Sequence, residues 1–137
     1  MAAPELFIGT WQLVSQTMIS KAGDPIDARG ANPVGVLIYQ PNGWMSVQLM
    51  RRERRSGLSL NSLSTAMSEY LGYFGTFVAD EQAQSVTHFV IGSSFPDYVN
   101  TQQLRQYQFE DDGDTLILTA EAAIPGQTRR VLTWRRA

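Results

Sequence analysis

The chain has 137 residues, 43% of them hydrophobic, which suits one domain spanning residues 1–137 with a real core and leaves little room for two. A formal net charge of -2 excludes the general basic excess that polyanion binding requires, so nucleic acid is not an expected partner. With no cysteine and one histidine, disulfides, thiolate chemistry and a His-rich zinc or copper site are excluded; only an all-oxygen site stays open, and neither metal nor cofactor is expected.

The N-terminal stretch MAAPELFIGTW carries neither a basic region nor the long apolar run of a secretory signal. No segment approaches the ~20 apolar residues of a membrane span, so a soluble cytoplasmic protein without a membrane partner is expected. The first strand is read at residues 9–20, where Trp11 and Leu13 alternate with Gln12 and Gln16, placing Trp11 inward and the glutamines outward. Residues 20–35 follow, rich in Gly, Pro and Asp, with the length and composition of an Ω-type loop.

Strands at 34–40 and 44–50 flank QPNGW, where Pro41 fixes φ and Asn42-Gly43 tolerate positive φ, a hairpin signal. MRRERR, residues 50–55, is read as a solvated loop, with an anion or membrane-surface patch as the alternative. Residues 58–73 place Leu63, Met67, Tyr70 and Leu71 at helical spacing behind Asn61 or Ser62 as N-cap, which predicts a short helix between the third and fourth strands.

Strands at 73–79 and 85–92 enclose the turn ADEQAQS, and strands at 102–109 and 114–120 enclose EDDGDT. A last strand is read at 127–135. Three hairpins in so short a chain argue for antiparallel pairing, and thus for an all-β fold. GSSF, residues 92–95, is not a G-x-S-x-G elbow, and no phosphate-cradling glycine motif occurs.

Alternation on the strand at 102–109 puts Gln103, Arg105, Tyr107 and Phe109 on the aromatic, inward face. Arg105 then needs a partner, because a guanidinium does not escape burial by losing its proton. Backbone carbonyls, Gln103 or tyrosine hydroxyls satisfy it, or else an anionic or carbonyl-bearing ligand does. His88 lies in SVTHFVIG, where both faces are apolar and parity does not orient it; it is read either as a hydrogen-bonded structural histidine or as a proton carrier. Tyr39, Tyr73, Tyr98 and Tyr107 supply phenols of the kind that anchor a ligand in an apolar pocket.

GTWQLVS, VGVLIYQPNGWMSVQLM, YLGYFGTFVAD, VTHFVIGSSFPDYVNTQQLRQYQF, DTLILTA and VLTWRR, taken in order, resemble the lipocalin-like domain family, small calycin-type barrels of bacteria and fungi. The resemblance implies an eight-stranded antiparallel up-and-down barrel with a central cavity. It also implies a closed end marked by Gly9 and Trp11, with Arg135 or Arg136 packing across the Trp. The function it implies is handling of a small, largely apolar molecule. Related barrels in natural-product pathways make a cofactor-independent isomerase or cyclase of a polyketide or terpenoid the first expectation. A non-catalytic intracellular carrier is the second, and a barrel filled by its own side chains, whose working surface is a protein interface, the third. For the first, the expected catalytic residues are Arg105, His88 and Tyr107, with Gln103, Tyr39, Tyr73, Phe77 and Phe109 contacting the ligand. The partner expected is a small hydrophobic molecule, with a homodimer left open.

Overall fold

The computed structural model describes residues 3–19, 25–27, 29–53, 69–121 and 129–137. A short helix α1 (Ala3–Phe7) precedes nine strands: β1 (Gly9–Ile19), β2 (Pro25–Asp27), β3 (Val34–Tyr39), β4 (Trp44–Met50), β5 (Tyr70–Asp80), β6 (Ser85–Ser93), β7 (Gln102–Glu110), β8 (Thr115–Ala120) and β9 (Arg129–Arg136). Neighbouring strands pair antiparallel in the order β2-β1-β3-β4-β5-β6-β7-β8-β9. The sheet closes because β1 also pairs with β9, from Trp11 opposite Arg136 to Ile19 opposite Arg129. Closure leaves an eight-stranded barrel of β1 and β3 to β9, without exposed edges around its wall. The three-residue β2 rides on the upper part of β1, above the stretch that pairs with β3.

The hairpin reading holds at each tight turn. Gly43 takes φ +91° and its N–H donates to the Gln40 carbonyl at 3.0 Å, closing the β3–β4 turn. The expected helix at 58–73 lies outside the described residues as far as residue 68. Its remaining part is corrected: from Tyr70 onward the chain is β5, with Leu71 and Tyr73 buried and Tyr70 exposed. Strand pairing with β4 outweighs the helical spacing there. Among the described residues the α-helix with a full range is α1, whose five residues are too few to carry a helical period, and two single 3-10 turns lie at Pro96–Tyr98 and Asp111–Gly113.

Two β-bulges shape the barrel wall. On β1 the register with β9 slips between Leu13 and Ser15, so the inward face changes parity. Gln16, expected outward by alternation, is therefore turned inside and buried. On β5 the register with β6 slips between Phe74 and Gly75. A Cβ at Gly75 would stand 1.8 Å from the Phe89 carbonyl oxygen, so this close strand approach admits only glycine.

One end of the barrel is sealed by α1 and aromatic packing. Phe7 is fully buried and its ring meets Tyr39, Phe77, Tyr107 and Phe109 at 4.9–6.4 Å between centroids. Trp11 donates its indole N–H to the Phe7 carbonyl at 2.9 Å, tying the helix to β1. Across the Trp11 ring lies Arg136, 4.2 Å from guanidinium carbon to ring centroid. The same guanidinium donates to the carbonyls of Ile8, Leu6 and Gly113. Of the two arginines that follow Trp134, Arg136 closes the barrel and Arg135 is exposed.

Candidate functional site

Above the aromatic plug the interior changes character. Successive cross-strand rows run Leu13–Trp134–Leu116–Phe109, then Gln16–Leu132–Leu118–Tyr107, then Met18–Arg130–Ala120. The wall thus grades from aromatic to aliphatic to cationic towards the far end. A cavity of about 50 Å³ lies in this upper half. Its apolar lining comes from Leu37, Val47, Leu49, Leu71, Leu118 and Leu132, with Ala120 and Trp134. Its polar lining is Gln16, Arg29, Tyr73, His88, Tyr98, Arg105 and Arg130. At ~10–15 Å³ per water, this volume holds a few waters or the polar end of a ligand.

His88 is buried at the inner wall and bonded on both ring nitrogens. Tyr39 Oη lies 2.6 Å from Nε2, and Tyr73 Oη lies 2.6 Å from Nδ1. Alternation brings this about: His88 sits opposite Phe77 on β5 and Gln103 on β7, inside the barrel. Tyr39 reaches it from the lower end of β3 and Tyr73 from the upper part of β5. Burial, reinforced by the positive charge of Arg105, pushes His88 down to about 3. The imidazole is neutral at pH 7, with one N–H and one lone pair. Burial also raises the Tyr39 phenol well above its usual value and Tyr73 to about 12, so both remain protonated.

Arg105 lines the cavity half-buried, and its only hydrogen bond among the described residues goes to the carbonyl of its neighbour Leu104, at 3.0 Å. The alternatives left open by the sequence are thereby narrowed: among the described residues neither a carboxylate nor Gln103 nor a tyrosine holds it. Gln103 instead donates to Thr101 Oγ1 at 2.9 Å and does not line the cavity. Arg29 is buried beside Gln16 Oε1, to which it donates, and burial followed by the nearby charge of Arg130 lowers it to about 10, still a cation at pH 7.

Of the other expected site residues, Tyr73 reaches the cavity, whereas Tyr39, Phe77, Phe109 and Tyr107 belong to the aromatic plug beneath it. The Tyr107 ring packs at 5.6 Å from Phe109, and burial, then Glu81 and Asp80, raise its phenol. Asp80 ends β5 and Glu81 follows it in the β5–β6 turn, at the closed end and away from the cavity. Arg130, Trp134, Gln16 and Arg29 are cavity residues that the sequence reading did not single out. Parity with Trp134 was an available signal for Arg130. The bulge hid Gln16, and Arg29 sits in irregular chain where no period applies.

In MRRERR, Arg51 pairs with buried Glu69 at 3.5 Å and Arg52 donates to the Asn32 carbonyl at 3.0 Å. These two arginines fasten neighbouring loops, and Arg54 and Arg55 lie outside the described residues. Among the described residues no cluster of three or more His, Cys, Asp or Glu is placed to hold a metal, and no helix is long and apolar enough to cross a membrane.

A closed antiparallel barrel with a Trp–Arg seal at one end and a lined cavity towards the other defines a calycin-type barrel, an architecture that suits a small hydrophobic ligand. The chain belongs to the lipocalin-like domain family, whose profile matches residues 8–137. A comparison with curated proteins finds no match.

Proposed function

We propose that the barrel binds a small, largely apolar metabolite bearing an oxygen function, and that it acts on it as a cofactor-independent isomerase or cyclase. A polyketide- or terpenoid-type substrate fits this reading. The observation that carries it is Arg105 lining a partly aliphatic cavity with no carboxylate partner among the described residues, beside the row Tyr39–His88–Tyr73. An apolar wall holds a flexible substrate in one folded conformer, and good orientation of that kind can supply about 7–11 kcal/mol of a barrier. Arg105 would stabilise negative charge developing on the substrate oxygen, an interaction that strengthens in the transition state.

A second reading, a non-catalytic carrier, has its own support. His88 is neutral and engaged on both nitrogens, and no carboxylate lines the cavity among the described residues, so no strong general base stands ready. Native mass spectrometry of the purified protein tests both readings by looking for a co-purifying small molecule. With that molecule in hand, Arg105→Lys and His88→Gln separate them. An enzyme should lose turnover at least ~10-fold while keeping most of its binding, whereas a carrier shows no turnover to lose. Failure to bind any apolar small molecule would overturn both.

A further inference from the structure

The geometry points to one fixed hydrogen order along the buried row, Tyr39 O–H to His88 Nε2, His88 Nδ1–H to Tyr73 Oη, and Tyr73 O–H into the cavity, making Tyr73 and Arg105 a joint reader of an anionic oxygen on the ligand. This rests on the proposal that the barrel holds a small apolar molecule, and it adds the ligand's charge class.

A neutral imidazole offers one donor and one acceptor, and each phenol has one hydrogen, so only two orders exist. In the reverse order, Nε2–H would donate to Tyr39, and the Tyr39 hydrogen would need an acceptor of its own. Tyr39 is 1% exposed, sits between the rings of Phe7 and Phe77, and has no hydrogen-bond partner besides His88 among the described residues. A buried hydroxyl hydrogen left without an acceptor is strongly disfavoured. In the forward order the spare hydrogen belongs to Tyr73, which borders the cavity and can give it to an occupant.

The rest of the cavity supports the same charge class. Among the described residues Arg105 and Arg130 form no ion pair and the buried Trp134 indole N–H has no hydrogen-bond partner. Gln16 Oε1, an acceptor in the lining, already accepts from Arg29. Donors outnumber acceptors around an aliphatic space, so the complementary occupant is an apolar molecule with a carboxylate or enolate oxygen. His88 acts here as a positioning residue, fixing the Tyr73 hydroxyl through its Nδ1–H.

Two measurements test the inference. Long-range proton–nitrogen correlation on ¹⁵N-histidine-labelled protein at pH 7 should place the ring hydrogen on Nδ1; a hydrogen on Nε2, or on both nitrogens, overturns the order without any variant having to fold. Calorimetry with hexanoate and hexan-1-ol should show hexanoate binding at least ~10-fold more tightly, and Tyr73→Phe should weaken hexanoate by ~10-fold or more, as expected for a hydrogen bond to a charged acceptor, while moving hexan-1-ol less. Hexan-1-ol binding as well as hexanoate overturns the charge class but leaves an apolar-ligand barrel standing. Binding of neither overturns both.

Discussion

The guanidinium of Arg136 lies over the fully buried Trp11 ring at 4.2 Å and at the same time donates to three carbonyls, those of Ile8, Leu6 and Gly113. It joins α1, β1, the β7–β8 turn and the last strand through one planar group. Arg136→Ala should lower the unfolding free energy by about 2–3 kcal/mol, from the lost cation–π contact and the carbonyls left without a donor. Arg136→Lys should recover only part, because an ammonium lacks the fork geometry needed to reach several carbonyls. Arg135→Ala, one residue away and exposed, should stay within about 0.5 kcal/mol of the parent. Urea unfolding of the three variants checks the order, and equal losses at 135 and 136 would show that Arg136 does not seal the barrel.

The buried histidine sets an acid limit on stability. His88 is held at about 3 in the folded chain against an unfolded value of 6.5, so the unfolded state takes up a proton first as pH falls. Its contribution is complete above about pH 6.5 and drains away from there down to about pH 3. Between pH 7 and pH 5, where carboxylates hardly titrate, the loss should be about 2 kcal/mol. His88→Gln keeps a donor and an acceptor but does not titrate. It should flatten this part of the curve, and an unchanged slope in that variant would rule His88 out as the cause.

Glycine tolerance should differ sharply between the β5 bulge and the β3–β4 turn. At Gly75 an added Cβ falls 1.8 Å from the Phe89 carbonyl oxygen, a backbone atom that cannot move without breaking the β5–β6 pairing. Gly75→Ala should therefore prevent folding or leave the protein in aggregates. At Gly43 nothing lies within 4 Å, and the only obstacle is φ +91°. Gly43→Ala should cost about 1–2 kcal/mol, the general penalty of an L-residue in left-handed backbone. Soluble yield and thermal melts of the two variants make the comparison.

The strands, their antiparallel pairing and the inward face of β7 were legible in the residues because alternation is a local signal. Gln103, Arg105, Tyr107 and Phe109 do face inward, and Leu104 is 56% exposed. Parity failed where a bulge intervened, turning Gln16 inside, since an inserted residue leaves no compositional mark. The position of a residue along the barrel axis was not legible either. Tyr107 and Phe109 share the inward face with Arg105 but lie lower, in the plug, and only the strand register separates the two levels. His88 could be read as a candidate, but its two tyrosine partners are 49 and 15 residues away, and no local pattern connects them.

The plug itself supplies the last test. Phe7 comes from a five-residue helix, yet it is fully buried and its ring touches four others, including Tyr39, the first member of the hydrogen-bonded row. Phe7→Ala should cost about 3–5 kcal/mol through lost burial and the cavity left behind. Phe7→Leu restores most of the volume and should recover at least half of that loss, though not the edge contact that holds the Tyr39 ring at 5.4 Å. If that contact orients Tyr39, the leucine variant will fold but alter the His88 ring-nitrogen resonances. A leucine variant with parental histidine signals would mean that Tyr39 is positioned by Phe77 and His88 alone.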